Sequence, residues 1–147
     1  MLIISRSMDY SDLLDRLSGK KVAIWTCNTC ARLCNSIGGT ESSERLASKL
    51  REDGVEVTKT VSTSAACLGK KVIEKKEEII SGDPDIILCM TCDAGALNAG
   101  EFFGKEIINP IITHGYGLLS DDNVPILMDK GRKVPVSELS QRSSPFI

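Results

Sequence analysis

The chain has 147 residues, a formal net charge of −2, a pI near 5.5, and 41% hydrophobic against 26% charged residues. That is length enough for one domain with a real core. No Lys/Arg stretch forms the stripe that sequence-independent nucleic-acid binding needs for phosphate neutralisation, and the longest apolar runs are far too short to cross a bilayer.

Residues 1–4 (MLII) are followed at once by Ser5, Arg6 and Asp9, which does not read as a signal peptide. The expected location is therefore cytoplasmic. From residue 8 to residue 17, Met8, Leu13, Leu14 and Leu17 recur at helical spacing, and Gly19 is a natural stop. Val22-Ala23-Ile24-Trp25 reads as a short, buried central strand. It runs into Cys27, Cys30 and Cys34, three thiols within eight residues, and then into Gly38-Gly39, a turn into a helix. Thr40 is the expected cap of that helix, with Glu41 and Glu44 favoured near its N-terminus and Leu46, Ala47 and Leu50 on one face.

Residues 55–61 alternate and are rich in β-branched side chains, as suits a strand nearer the sheet edge. A small polar loop then delivers Cys67. Residues 70–81 are expected to be helical, with Val72, Ile73, Ile79 and Ile80 inward, a solvated charged middle, and Asp83-Pro84 as the breaker. Residues 85–90 form the most apolar strand, leading into Thr91-Cys92-Asp93, where Asp93 is read as the cap of a short helix over 94–103. Residues 110–113 are read as the fourth strand, followed by His114 and Tyr116. Residues 125–128 and 133–136 are read as two short strands or an arm with Gly131 turning between them, and 137–147 as a loose tail.

Strands alternating with helices predict an α/β fold with right-handed crossovers. The expectation is a flavodoxin- or Rossmann-like three-layer arrangement on a mostly parallel sheet of four or slightly more strands. It forms one domain over 1–147, with a core over about 8–128 and an irregular C-terminal arm. In such sheets the ligand site lies beyond the carboxyl ends of the strands. Cys27, Cys67 and Cys92 follow the first three predicted strands, and His114 and Tyr116 follow the fourth, so the unusual residues are expected on one rim.

Six cysteines without a secretion signal do not read as a disulfide scaffold, which is shorter, denser in cysteine and extracellular. Clustered thiols in a reducing compartment hold metal or do redox chemistry. A four-iron–four-sulfur (4Fe-4S) cluster needs four thiolates; Cys-x2-Cys-x3-Cys supplies two or three, and Cys67 and Cys92 complete the set. Zinc accepts the same four, or three with His114, and spacing does not separate the two. A redox dithiol at Cys27/Cys30 or Cys89/Cys92 is a third reading that leaves the other thiols unexplained. Cys89, inside a strand, is first of all a core residue, as are Trp25 and Met90. His114 is more simply a hydrogen-bonded rim residue than a ligand.

The order helix, strand, Cys27-x2-Cys30-x3-Cys34, Gly38-Gly39, acidic helix, strand, Cys67, helix, apolar strand, Cys92-x2-Gly95 resembles the N-terminal part of the MetV family. MetV is the small cysteine-rich partner subunit of acetogen-type methylenetetrahydrofolate reductase. A related domain is known as the methylenetetrahydrofolate reductase C-terminal-like domain. The likeness covers roughly residues 8–116. It implies a non-catalytic iron–sulfur subunit, with zinc as the alternative metal, that passes electrons to a flavin-containing subunit handling a folate or pterin one-carbon unit. The ligands it implies are Cys27, Cys30, Cys34, Cys67 and Cys92, one more than a cubane takes. No cysteine follows Cys92, so the family's second cysteine-rich segment has no counterpart here, and Cys89 is not part of the pattern. Two other classes stand beside this one. One is a structural zinc module that scaffolds a partner complex; on any of these readings a homodimer is a further expected partner state. The other is an enzyme binding a small ligand, corrinoid or pterin, with His114 and Tyr116 as contacts; it lacks a recognisable acid–base or nucleophile–base pair.

Overall fold

The computed structural model describes residues 2–129 and 132–135. In chain order the elements are β1 (Leu2–Ser7), α1 (Tyr10–Leu17), β2 (Lys21–Cys27), α2 (Cys30–Leu33), α3 (Thr40–Glu52), β3 (Glu56–Thr63), α4 (Gly69–Ile80) and β4 (Ile86–Met90). They continue with α5 (Asp93–Phe103), β5 (Glu106–Ile108), β6 (Ile111–Leu119), β7 (Pro125–Asp129) and β8 (Arg132–Pro135). The fold is mixed α/β, with two four-stranded sheets.

The first sheet is parallel, in the order β3-β2-β4-β5. Every residue of β4 is buried, and so is all of β2 after Lys21. Continuous apolar runs of this kind suit strands covered on both faces. Trp25 stands beside Val61 on one side and Cys89 on the other, and its ring meets Phe103 of α5 edge-on at 5.2 Å. The edge strand β3 alternates instead, burying Val57, Val61 and Thr63. Among the helices, α3 buries Leu46, Ala47 and Leu50 as its spacing predicts.

The second sheet is antiparallel, in the order β1-β6-β7-β8. It revises two expectations. The buried core begins at Leu2 and Ile4, ahead of residue 8. The fourth strand of the parallel sheet is β5, three residues long, whereas the predicted strand at 110–113 starts β6 in the other sheet. Asn109-Pro110 separates the two: proline has no N–H to continue a ladder, and Met8 N–H donates to Pro110 O at 2.8 Å, which places β1 and β6 together. His114 and Tyr116 therefore lie within β6 and do not follow a strand of the parallel sheet.

Local readings are revised as well. Gly39, at φ +101°, and Cys92 occupy the positions just ahead of α3 and α5, so Thr40 and Asp93 are first helical residues and not caps. In α4, Val72 and Ile79 are buried but Ile73 is exposed. The short strands expected at 125–128 and 133–136 are β7 and β8, while Val136, the Gly131 turn and the 137–147 tail lie outside the described residues. Among the described residues no helix is long and apolar enough to cross a membrane.

Candidate functional site

The parallel direction of β2, β3 and β4 brings their carboxyl ends to one edge, and three cysteine-bearing connections leave from it. Cys27 is the last residue of β2, and Cys30 opens α2 three residues later. Cys67 lies in the β3–α4 loop, and Cys92 lies between β4 and α5. These four thiols line one cavity of about 330 Å³. Its remaining lining is small and mostly apolar: Ala31, Ala65, Ala66 and Ala94, with Thr29 and Ile3. The volume is at the lower end of the about 300–1,000 Å³ of small-molecule and cofactor sites. Cys27 is buried, Cys30 and Cys92 are half-buried, and Cys67 is exposed. A larger, shallow depression of about 420 Å³ runs along α3, but its lining is Glu, Lys, Arg and Ser on an exposed face and carries no thiol.

A polar framework holds the cysteine-bearing connections. The buried Thr26 hydroxyl donates to Met90 O at 3.0 Å and accepts from Gly39 N–H at 2.8 Å, which ties the ends of β2 and β4 to the start of α3. Asn28 accepts from Thr40 N–H at 2.8 Å through its side-chain oxygen, and its own N–H donates to Thr63 O at 2.8 Å. The Thr29 hydroxyl donates to Ser64 O, and the Cys27 thiol points at the same carbonyl at 3.8 Å. Two glycines are required by close approach. A Cβ on Gly38 would lie 2.6 Å from the Ala31 Cβ and 2.9 Å from Met90 O, and one on Gly95 would lie 2.8 Å from Thr91 and 3.0 Å from the Ala66 Cβ.

The electrostatics of Cys92 are mixed. Burial pushes its thiol up, the backbone N–H groups of Gly95 and Ala94 pull it down, and the neighbouring Cys30 and Cys27 thiols push it up again. Those two N–H groups belong to the first turn of α5, where helix donors have no intrahelical partner and favour a negative charge.

The other candidate residues lie elsewhere. Cys34 is fully buried and stands outside the cavity; its Sγ accepts from Ser5 N–H at 3.4 Å and donates to Ser5 O at 3.2 Å. Cys89 is buried inside β4, where burial alone pushes its thiol up. His114 sits in β6 at a bulge, between Thr113 and Gly115, which pair with Ser5 and Ile4. Burial, then the Arg6 guanidinium, hold its imidazole below the ordinary range, and its Nε2 has no hydrogen-bond partner among the described residues. Tyr116 is exposed on β6. Sequence reasoning missed Ile3 and the three alanines of the β3–α4 loop and α5. The apolar run at residues 2–4, two of them β-branched isoleucines, carries the signal for Ile3.

Among the described residues no three side chains of His, Cys, Asp or Glu stand as a ready group for one metal ion. A single zinc would draw four sulfurs to within about 3.8 Å of one another, given Zn–S bonds of about 2.3 Å. In a cubane each thiolate binds a different iron, so the sulfurs surround the cluster at wider spacing. Comparison of the chain with protein-family models, with curated proteins and with solved structures finds no match.

Proposed function

We propose that this chain is a cysteine-ligated iron–sulfur subunit, with Cys27, Cys30, Cys67 and Cys92 as the four ligands. The observation that carries the reading is that these four thiols, delivered by three separate connections, line one apolar cavity at the carboxyl edge of the parallel sheet. The parallel sheet and its helices read as a flavodoxin- or Rossmann-like three-layer arrangement, in which that edge is the usual place for a ligand.

A bound 4Fe-4S cluster supplies one-electron steps, with a potential set by charge, hydrogen bonds to sulfur and burial. The chain's own residues answer to each of those levers. The N–H groups of Ala94 and Gly95 stabilise negative charge on the Cys92 sulfur. Ile3 and the alanines make the cavity lining apolar. Cys67 marks the exposed side, where an electron partner has the shortest approach.

The likeness to the MetV pattern makes that partner a flavin-containing oxidoreductase of one-carbon metabolism. On this reading the chain itself does no folate or pterin chemistry. The test is metal and acid-labile sulfide analysis of anaerobically prepared protein. About four irons and four sulfides per chain are expected for the cluster type. A colourless protein with one zinc per chain would overturn the reading in favour of the scaffold module.

A further inference from the structure

We infer that Cys34 is a latch for β1 and not a fifth ligand: its thiol stands in for a strand that β1 lacks, among the described residues, on the side away from β6, and so holds Ile3 in the cavity wall. Among the described residues β1 is at the edge of its sheet, with β6 as its one neighbour. An edge strand presents unpaired N–H and C=O groups, and where that edge is buried they need partners. Ser5 is such a point, since only 3% of it is exposed. In a strand the N–H and C=O of one residue point to the same side, and both of Ser5's meet one atom, the Cys34 sulfur, at 3.4 and 3.2 Å. A thiol can fill both roles because it is at once a weak donor and a weak acceptor.

The two roles open to Cys34 exclude each other. A ligand must be a thiolate, and a thiolate has no proton to give to Ser5 O. Ligation would strand a buried carbonyl and draw the sulfur away from β1. The latch also bears on the cavity. Ile3 lies two residues before Ser5, lines the space among the four cysteines, and belongs to a strand that bulges between Ile4 and Ser5. The bond at Ser5 fixes the strand where the ladder to β6 is irregular. Cys34 is then a positioning residue for the proposed cluster, and only its effect on that cluster rests on the proposed function.

The test compares Cys34→Ala and Cys34→Ser in the full chain, prepared anaerobically. Iron and sulfide per chain are expected to match the unsubstituted protein in both variants. The Ser5 amide should exchange with deuterium about tenfold faster in Cys34→Ala, the scale of one net hydrogen bond, and the brown colour should bleach faster in air. Cys34→Ser keeps a donor and an acceptor and should restore both readouts towards the unsubstituted protein. Loss of iron in Cys34→Ser on the scale of Cys92→Ser would make Cys34 a ligand and overturn the inference. An unchanged Ser5 exchange rate in Cys34→Ala would overturn it as well. If the unsubstituted protein carries no iron or sulfide, the proposed function fails, and the exchange of the Ser5 amide still decides the latch. If Cys34→Ala does not fold, the iron content of Cys34→Ser decides between latch and ligand.

Discussion

Cys89 and Cys92 are three residues apart, and the end of a strand lies between them. Cys89 is inside β4, covered on both faces, and burial is the one influence on its thiol. Cys92 is past the strand end, half-buried, beside two other thiols, with the free N–H groups of Ala94 and Gly95 directed at its sulfur. The residue type is the same and the physical demands are opposite. Inside the sheet the backbone donors are used up in the ladder, and a charged sulfur would be desolvated without compensation. Just beyond the sheet the first turn of a helix offers spare donors to an anion. On the proposed reading, position relative to the end of β4 is what separates Cys89 from Cys92.

The sharpest way to break that contrast is to replace one thiol of each kind. Cys92→Ser should weaken iron retention by more than the about 10–100-fold that follows loss of a mere supporting partner, while circular dichroism of the metal-free chain stays as before. Cys89→Ser should leave iron per chain unaltered but place a hydroxyl in a fully buried strand. An unpaired hydroxyl there costs about 1–3 kcal/mol, seen as a Tm lower by several degrees. Equal loss of iron in the two variants would mean that the strand end does not separate the two thiols.

The same boundary explains what the sequence made legible. Strands β2 and β4 are readable from apolar runs that stand out from the flanking charges, and β3 from its alternating β-branched pattern, and Cys27, Cys67 and Cys92 can be placed after their ends from that alone. The three-residue strand β5 was not readable, since Glu106-Ile107-Ile108 is too short for periodicity to speak. Taking residues 110–113 for the fourth parallel strand moved His114 and Tyr116 to the wrong sheet. The antiparallel sheet was harder for a different reason. The partner of β1 lies more than a hundred residues away in β6, and no local pattern announces such a pairing. Ile3 was missed with it. Cys34 could not be told from Cys30 by spacing, because what separates them is the Ser5 backbone, brought up by β1.

The smallest expected effect, and the most specific, is at alkaline pH. Burial holds the Cys89 thiol above the ordinary range in the folded chain, while in the unfolded chain it titrates near about 8.5. Between those two values the unfolded chain has released a proton that the folded chain keeps, so stability falls as pH rises. The contribution is whole below about pH 8.5 and is lost progressively above it, at a limit of about 1.4 kcal/mol per pH unit for each such thiol. Cys34 has the same sign, raised first by burial, and serves as the background that does not change. Urea unfolding of metal-free protein between about pH 7.5 and 10 should therefore give two curves, for the unsubstituted chain and Cys89→Ala, that run parallel below about pH 8 and converge above it. The variant is offset by a pH-independent loss of packing, so the change in slope, not the offset, reports the thiol. Curves that stay parallel to the alkaline end would mean that Cys89 gives up its proton as readily folded as unfolded, and a thiol in the strand interior would then differ from one at the rim in name only.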